Sequence, residues 1–405
     1  MEVYNQNGKC IVVKDSPLSS GGEGEVREVI SAPDSYPKYC CVKIYYKHKR
    51  SSQQRDKIQY MVSNPPSKVV SSSFMIGWPL ALIYDKDKKF LGFIMPKAYS
   101  GSKELIYLTS KKISRKLNPE WHQRFERTNG KYSLLSRLKL INNIAIPVHI
   151  LHSTKHYVFK DFKPQNVLIT PDGKVTVVDM DSVQITDGST FFPAVTLTAE
   201  YVPVEYYYKQ ELKKPNAKLN QNWDNFSLAV VFYQILFGLH PYVVTPWHQE
   251  DDSSNEISLN IANNLFPFGP NAQKIKSFPD EHQKFKILPK EVQDLFVRAF
   301  TTTNNRPSAE EWGVTIHTII SSIPDVPIPP IPVPHPTPPP DPGPNPIEDT
   351  SSTFWNLVAF LCPIIGWIYA GYIEDERPNR AKDVTSHAWT GFGLGILLIA
   401  ILSFM

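Results

Sequence analysis

Residues 159–166 read FKDFKPQN, and the chain runs on through VLI (167–169) to VVDMDS (177–182). Asp161 stands two positions before Lys163 and five before Asn166, while a further acid, Asp179, closes an apolar run. Between them PDG (171–173) is a turn signal flanked by β-branched residues. The stretch therefore predicts a loop feeding a tight hairpin, with Asp161 and Asn166 before it and Asp179 and Asp181 after it. Upstream, LLSRLKLINNIAIPVHILHS (134–153) is apolar at helical spacing and predicts a helix that delivers the loop. His149, His152 and His156 fall at i, i+3 and i+7, but no carboxylate completes a metal set, so they read as packing and surface residues.

Working toward the N-terminus, IVV (11–13), VREVI (26–30), YCCVKIYY (39–46), LALIYD (80–85) and FLGFIMP (90–96) are β-branched or aromatic runs bounded by turn residues. Between the first two lies LSSGGEGEV (18–26). Gly21, Gly22 and Gly24 let backbone approach a phosphate closely because no Cβ intervenes, although a plain hairpin turn uses the same residues. Lys43 follows about twenty residues later inside an apolar strand, from which a lysine can reach phosphates as a point charge. SSQQRDKIQYMV (51–62) has Ile58 and Met61 at helical spacing and predicts a short amphipathic helix. That helix carries Asp56, which either holds Lys43 or is a solvated helix charge.

Taken together, these motifs resemble the eukaryotic-type Ser/Thr protein kinases over about residues 10–320. LSSGGEGEV resembles the glycine-rich loop, with Ser19 where its first glycine usually stands and Val26 at its end. CCVK resembles the strand ending in the ATP lysine, Lys43, and MP at 95–96 places Met95 at the hinge. FKDFKPQN resembles the catalytic loop, which implies Asp161 as base, Lys163 as substrate-side lysine and Asn166 as metal ligand. DMD implies Asp179 as the metal-binding acid, and Asp56 matches the helix acid. TAEYVPVE (198–205) resembles the end of the activation segment, with Glu205 as its acid. DNFSLAVVFYQILFGLHPY (224–242) resembles the helix that follows, opened by Asp224, and RPSAEEW (306–312) supplies Arg306 as the partner of Glu205. GGEG, the MP hinge, DxDS and RPxAEEW are similar to a bacterial branch, some of whose members carry helix-hairpin-helix modules.

The resemblance implies an α+β, bilobal protein-kinase-like fold with a small β-rich N-lobe (1–98) and a large helical C-lobe (99–323). It also implies ATP and Mg²⁺ or Mn²⁺ as cofactors and a protein substrate. Departures fall at supporting positions. Phe159 fills space but donates no hydrogen bond where the family has histidine. Lys160 keeps the charge of an arginine without its bidentate fork. Met180 and Asp181 replace phenylalanine and glycine, which points to a stiff, constitutively formed site. The complete charged set implies a serine/threonine protein kinase in signalling; the alternative is a nucleotide-binding pseudokinase acting as a membrane-tethered scaffold.

The formal charge of +4 gives no reason to expect nucleic acid as a partner. The four cysteines lack metal-ligand spacing, and MEVYNQNGKC lacks the apolar run of a signal peptide, so a reducing cytoplasm is expected for this part. The stretch 324–352 is rich in the chain's 36 prolines and reads as a polyproline linker. Its proline-dense first part, 324–346, reaches roughly 70 Å. Beyond it, 353–405 contains FWNLVAFLCPIIGWIYAGYI (354–373) and WTGFGLGILLIAILSFM (389–405). Runs of this length suit two transmembrane helices, with aromatic residues at the interfaces. A multi-pass protein of the cell membrane is expected, its kinase domain cytoplasmic, with EDERPNRAKDVTSHA (374–388) as the loop between the two spans; Arg377, Arg380 and Lys382 in that loop pull it to the inner side, which a re-entrant hairpin bent at Pro363 would satisfy.

Overall fold

The computed structural model describes residues 1–247, 257–324, 326, 328, 353–363, 367, 369–370 and 378–403. It forms two compact units, residues 1–333 and 334–405.

The alternating N-terminal runs close into a small barrel. Its strands are β1 (Glu2–Asn5), β2 (Cys10–Val13), β3 (Ser19–Ser20), β4 (Gly24–Ser31), β5 (Cys40–Tyr45), β7 (Ala81–Tyr84) and β8 (Phe90–Pro96), in the order β2-β1-β7-β8-β5-β4-β3. β3 takes the first half of the β4 edge and β2 the second half, which closes the ring. β1 is additional to the strands expected from the sequence; Asn7 and Gly8, with Gly8 at φ +74°, supply its hairpin turn. Because side chains alternate along a strand, Cys40, Val42 and Ile44 fill the barrel with Val3, Ile11, Val13, Ile83 and Ile94. Cys41, Lys43 and Tyr45 then face the other way. β5 is buried on both faces, which is why it reads as an unbroken apolar run with one lysine in it.

α1 (Ser52–Ser63) leads to β6 (Phe74–Ile76), which runs parallel to β12 (Val175–Val177) in a second sheet, β6-β12-β11-β9. There β9 is Lys103–Glu104 and β11 is Val167–Ile169, so the expected hairpin forms as β11 and β12. Tyr45, Ile58, Met61, Phe74, Ile76 and Trp78 share one core with the helical part of the chain, so the two lobes are packed on each other.

The large lobe contains α2 (Pro119–Phe125), α3 (Gly130–Ser153), α4 (Glu205–Tyr208), α5 (Gln221–Phe237), α6 (Ile257–Ala262), α7 (Lys290–Thr301) and α8 (Ala309–Ser322). α5 is hydrophobic on nearly every side because it is the centre of this lobe. Its C-terminus ends on Gly238 at φ +76°, where a Cβ would meet the Arg127 guanidinium at 2.6 Å and the Ser110 carbonyl at 2.7 Å. Arg127 donates to the carbonyls of Gln234, Ile235 and Leu236, and buried Arg137 donates to Ile235 and Phe125. Two cations thus sit on the negative end of the helix. Among the described residues, Arg127–Ser153 is the helical stretch long and apolar enough to cross a membrane, but more than half of it is buried in this core.

In the C-terminal unit, Ala359 of α9 (Thr353–Leu361) and Ala381, Val384 and Ala388 of α10 (Pro378–Ser403) cluster with Ala370, and Trp367 lies against Trp389 at 5.0 Å. Two expectations are corrected here. The apolar run 354–373 is not one continuous helix, since α9 stops at Leu361, two residues before Pro363, which cannot donate a helical hydrogen bond. Nor is 378–388 a loop: Pro378 opens α10, a favoured first helical position, and the helix runs through these residues. Of the expected linker (324–352), only residues 324, 326 and 328 are among those described.

Candidate active site

The FKDFKPQN loop is held from below by Asp224, at the start of α5. Its two carboxylate oxygens accept from the backbone N–H of Phe159 (2.8 Å) and of Lys160 (2.9 Å), and Oδ2 also contacts His152 Nε2 at 2.9 Å. Trp223 Nε1 donates to the Lys160 carbonyl, so the start of α5 grips the loop at a third point. Lys160 takes φ +63°, strained for a lysine, and these contacts hold it there. Phe159 packs edge-on against both His152 and Phe162, filling the space under the loop. The three histidines have separate surroundings: His152 is buried on Asp224, His149 lies near Glu310 and His156 near Asp187.

Above this floor, Asp161 is 5% exposed. Its Oδ2 accepts from Lys163 Nζ at 2.8 Å, while its Oδ1 is buried without a hydrogen-bond partner among the described residues. Lys163 also donates to Thr198 Oγ1 at 2.9 Å, tying the loop to the segment before Glu205. Asn166 donates through Nδ2 to the Asp161 carbonyl at 3.0 Å, and its amide oxygen has no hydrogen bond among the described residues.

Lys43 Nζ reaches Asp179 Oδ1 at 3.1 Å, and it reaches Asp181 at 2.8 and 2.7 Å. Glu23, from the glycine-rich loop, approaches the same ammonium at 3.5 Å. Burial opposes the charge on Lys43, but the carboxylates of Asp181 and Asp179 outweigh it and raise its pKa. Asp179 lies at φ +63°, with Ser182 Oγ donating to its carbonyl. Burial works against its charged form too; the Lys43 ammonium prevails and holds its pKa below the usual carboxylate range. The carboxylate oxygens of Glu23, Asp179 and Asp181 lie within 4.8 Å of one another. Asp179 and Asn166 offer the hard oxygen donors that Mg²⁺ or Mn²⁺ takes, whereas both oxygens of Asp181 are already occupied by Lys43.

The glycine-rich residues divide. Gly21 and Gly22 face open space, as a phosphate-cradling turn requires, and Ser19 is exposed beside them. Gly24 is different: a Cβ there would meet the Ile44 carbonyl at 2.2 Å, so strand packing demands this glycine. Val26 pairs across from Lys43, and Met95 pairs with Cys41 near the end of β8. Gly92, which carries no motif in the sequence, faces Lys43 from β8, where a Cβ would strike the Lys43 carbonyl at 1.9 Å.

Asp56 requires a correction. It does not hold Lys43; it is exposed and pairs with its neighbour Arg55. The inward stripe of α1 carries Lys57, Ile58 and Met61, which are buried, and Gln54, so the helical period turns Asp56 outward. Lys57 is the charge presented inward, and burial lowers its pKa to about 8 despite the nearby acids Asp181, Glu23 and Asp179.

Below the activation segment, Arg306 and Glu205 form a bidentate pair with both contacts at 2.7 Å, and both residues are buried. Lys160 Nζ donates to the Ala194 carbonyl at 2.8 Å.

Comparison with known proteins agrees with this geometry. The family model described as protein kinase domain matches residues 13–313. Protein kinase YegI of Escherichia coli O157:H7 is 26% identical over 76% of this chain and 45% of its own length. Its counterpart in strain K12 is 25% identical over 79% of the chain and 46% of its length. Serine/threonine-protein kinase PknA of Mycobacterium tuberculosis is 29% identical over 28% of this chain and 25% of its length. The chain thus spans about half the length of the YegI proteins.

Proposed function

Because the chain belongs to the protein kinase domain family, we propose that it is an active protein serine/threonine kinase that transfers the γ-phosphate of ATP to protein hydroxyls in signalling. One observation carries this reading: the Oδ1 of Asp161 is buried and unpaired while Lys163 holds its Oδ2. The Asp161 carboxylate is thus fixed in orientation with one oxygen uncommitted among the described residues, the oxygen that would accept the proton of a substrate hydroxyl. The hydroxyl oxygen bonds to the γ-phosphorus as the bond to the bridging oxygen breaks, ADP leaves, and the proton passes to Asp161.

Lys43 holds the α- and β-phosphates as a fixed charge, and Gly21 and Gly22 admit the loop backbone to them. Asp179 and Asn166 would hold the divalent cation, which supplies charge neutralisation on the phosphates. Lys163 orients Asp161 and faces the acceptor side through Thr198. Ser19, Val26 and Met95 border the nucleotide; Glu205, Arg306 and Asp224 keep the loop and the activation segment in place.

The same reading includes attachment to the cell membrane through the C-terminal unit, with the kinase domain cytoplasmic and no nucleic acid as partner. The apolar runs support it, and the break at Pro363 favours a re-entrant hairpin over two full spans. Incubating the protein with labelled ATP and Mg²⁺ or Mn²⁺ tests the catalytic part. Transfer to itself or to a serine-containing protein is expected. Nucleotide binding without transfer would make the chain a pseudokinase scaffold.

A further inference from the structure

A lysine that anchors phosphates must be held extended and charged, and some acid has to do this. Helix α1 supplies no such acid, because its inward stripe offers Lys57 while Asp56 faces solvent. The acid that meets Lys43 comes instead from the segment after Asp179. Both oxygens of Asp181 lie on the Lys43 ammonium, at 2.8 and 2.7 Å.

Resting on the kinase reading of the site, we propose that Asp181 is the residue that positions Lys43 toward the phosphates. On α1 the buried position facing inward is Lys57, so the acid that serves Lys43 stands on the loop instead of the helix.

The surroundings of Asp181 separate it from Asp179. The Asp181 side chain is 1% exposed, whereas that of Asp179 is 35% exposed and open to the nucleotide side. A carboxylate so buried is tolerable only when its charge is matched and its lone pairs are filled. Lys43 does the first, and the Tyr45 hydroxyl does the second by donating to Oδ2 at 2.6 Å. Tyr45 in turn accepts from Gln54 Nε2 at 2.7 Å, which connects this acid to α1 without an ion pair. Lys57 is buried and has no hydrogen bond or ion pair among the described residues. Asp181 stands on the loop after Asp179, whereas the acid of α1, Asp56, is exposed and pairs with Arg55. Positioning of Lys43 therefore does not wait for α1 to swing an acid inward.

The test measures binding of MgATP and of adenosine, which lacks the phosphates, to the full chain. Asp181→Asn is nearly isosteric and should weaken MgATP about tenfold while leaving adenosine unchanged. Asp56→Ala should bind MgATP as the wild type does. The exchange Lys57→Glu with Asp181→Gly returns the acid to α1 and should recover most of the affinity that Asp181→Gly alone loses. Unchanged MgATP affinity in Asp181→Asn would overturn the proposal. So would an equal fall for adenosine, which signals collapse of the pocket, or an equal loss in Asp56→Ala. A wild type that transfers no phosphate, with Asp181→Asn still weakening MgATP, would overturn the kinase reading and leave this role of Asp181 standing.

Discussion

The oxygen of Asp161 that no neighbour reaches and the ammonium of Lys43 that three acids surround are the two poles of this site. They predict different kinetic failures. Asp161→Asn removes the proton acceptor but touches nothing that holds nucleotide, so kcat should fall by about 10²–10⁴ with the Kd for MgATP nearly constant. Asp179→Asn removes a metal oxygen and a partner of Lys43, so phosphate transfer should be lost with MgATP affinity also reduced. Pre-steady-state kinetics with separate nucleotide titration distinguishes the two; undiminished turnover in Asp179→Asn would remove it from the metal site. The loop residues are legible in the sequence because Asp161, Lys163 and Asn166 are neighbours in the chain, where spacing is geometry. Asp56 misleads because choosing between adjacent helix positions needs the phase of the helix. The apolar marks Ile58 and Met61 place Lys57 on their stripe once Gln54 is added to it.

Among the elements, the pair of Arg306 with Glu205 joins α4 to the turn before α8. Arg306 also donates to the carbonyls of Ala299 and Asn222 and lies over the Phe226 ring. Arg306→Ala leaves the buried Glu205 carboxylate uncompensated and should cost about 3–5 kcal/mol, read as a fall in the urea midpoint. An unchanged midpoint would show that water already reaches the pair. At the C-terminus of α5, Gly238→Ala combines a left-handed backbone with a clash against Arg127 and should destabilise by at least about 1 kcal/mol in the same measurement. Strands and helices here are readable from period alone. The closing of the barrel is not, because pairing of β2 with β4 depends on twist and on a register shift between Val12 and Val13.

At the scale of the whole molecule, the large lobe buries two histidines in the neutral state. Burial lowers His240 to about 3 and His282 to about 4. In the unfolded chain both titrate near about 6.5. The unfolded state therefore binds more protons as pH falls below that value, and stability drops by about 1.4 kcal/mol per pH unit for each histidine. Thermal midpoints should decline between about pH 6.5 and pH 5, before most carboxylates titrate, and replacing His240 and His282 by glutamine should flatten that slope. An equal slope in the double variant would assign the decline elsewhere. In the C-terminal unit, Ser386 is exposed on α10. With Cys10 and Cys362 changed to serine, a cysteine at Ser386 should be protected from an impermeant reagent outside the cell if the hairpin is re-entrant. Labelling there would support full spans, and in a chain that keeps Cys10, which is exposed, labelling of Cys10 would place the kinase domain outside.

The sequence by itself determined the local chemistry: which loop carries base, lysine and amide, which lysine sits in an apolar strand, and which turn joins β11 to β12. Each of these depends on residues close together along the chain. Tertiary structure alone decided which acid meets Lys43, since Asp181 lies 138 positions away and the choice turns on helix phase, strand face and burial acting together. It likewise decided that Gly24 and Gly92 serve strand packing, because a missing Cβ acquires meaning only from the atom it would have struck.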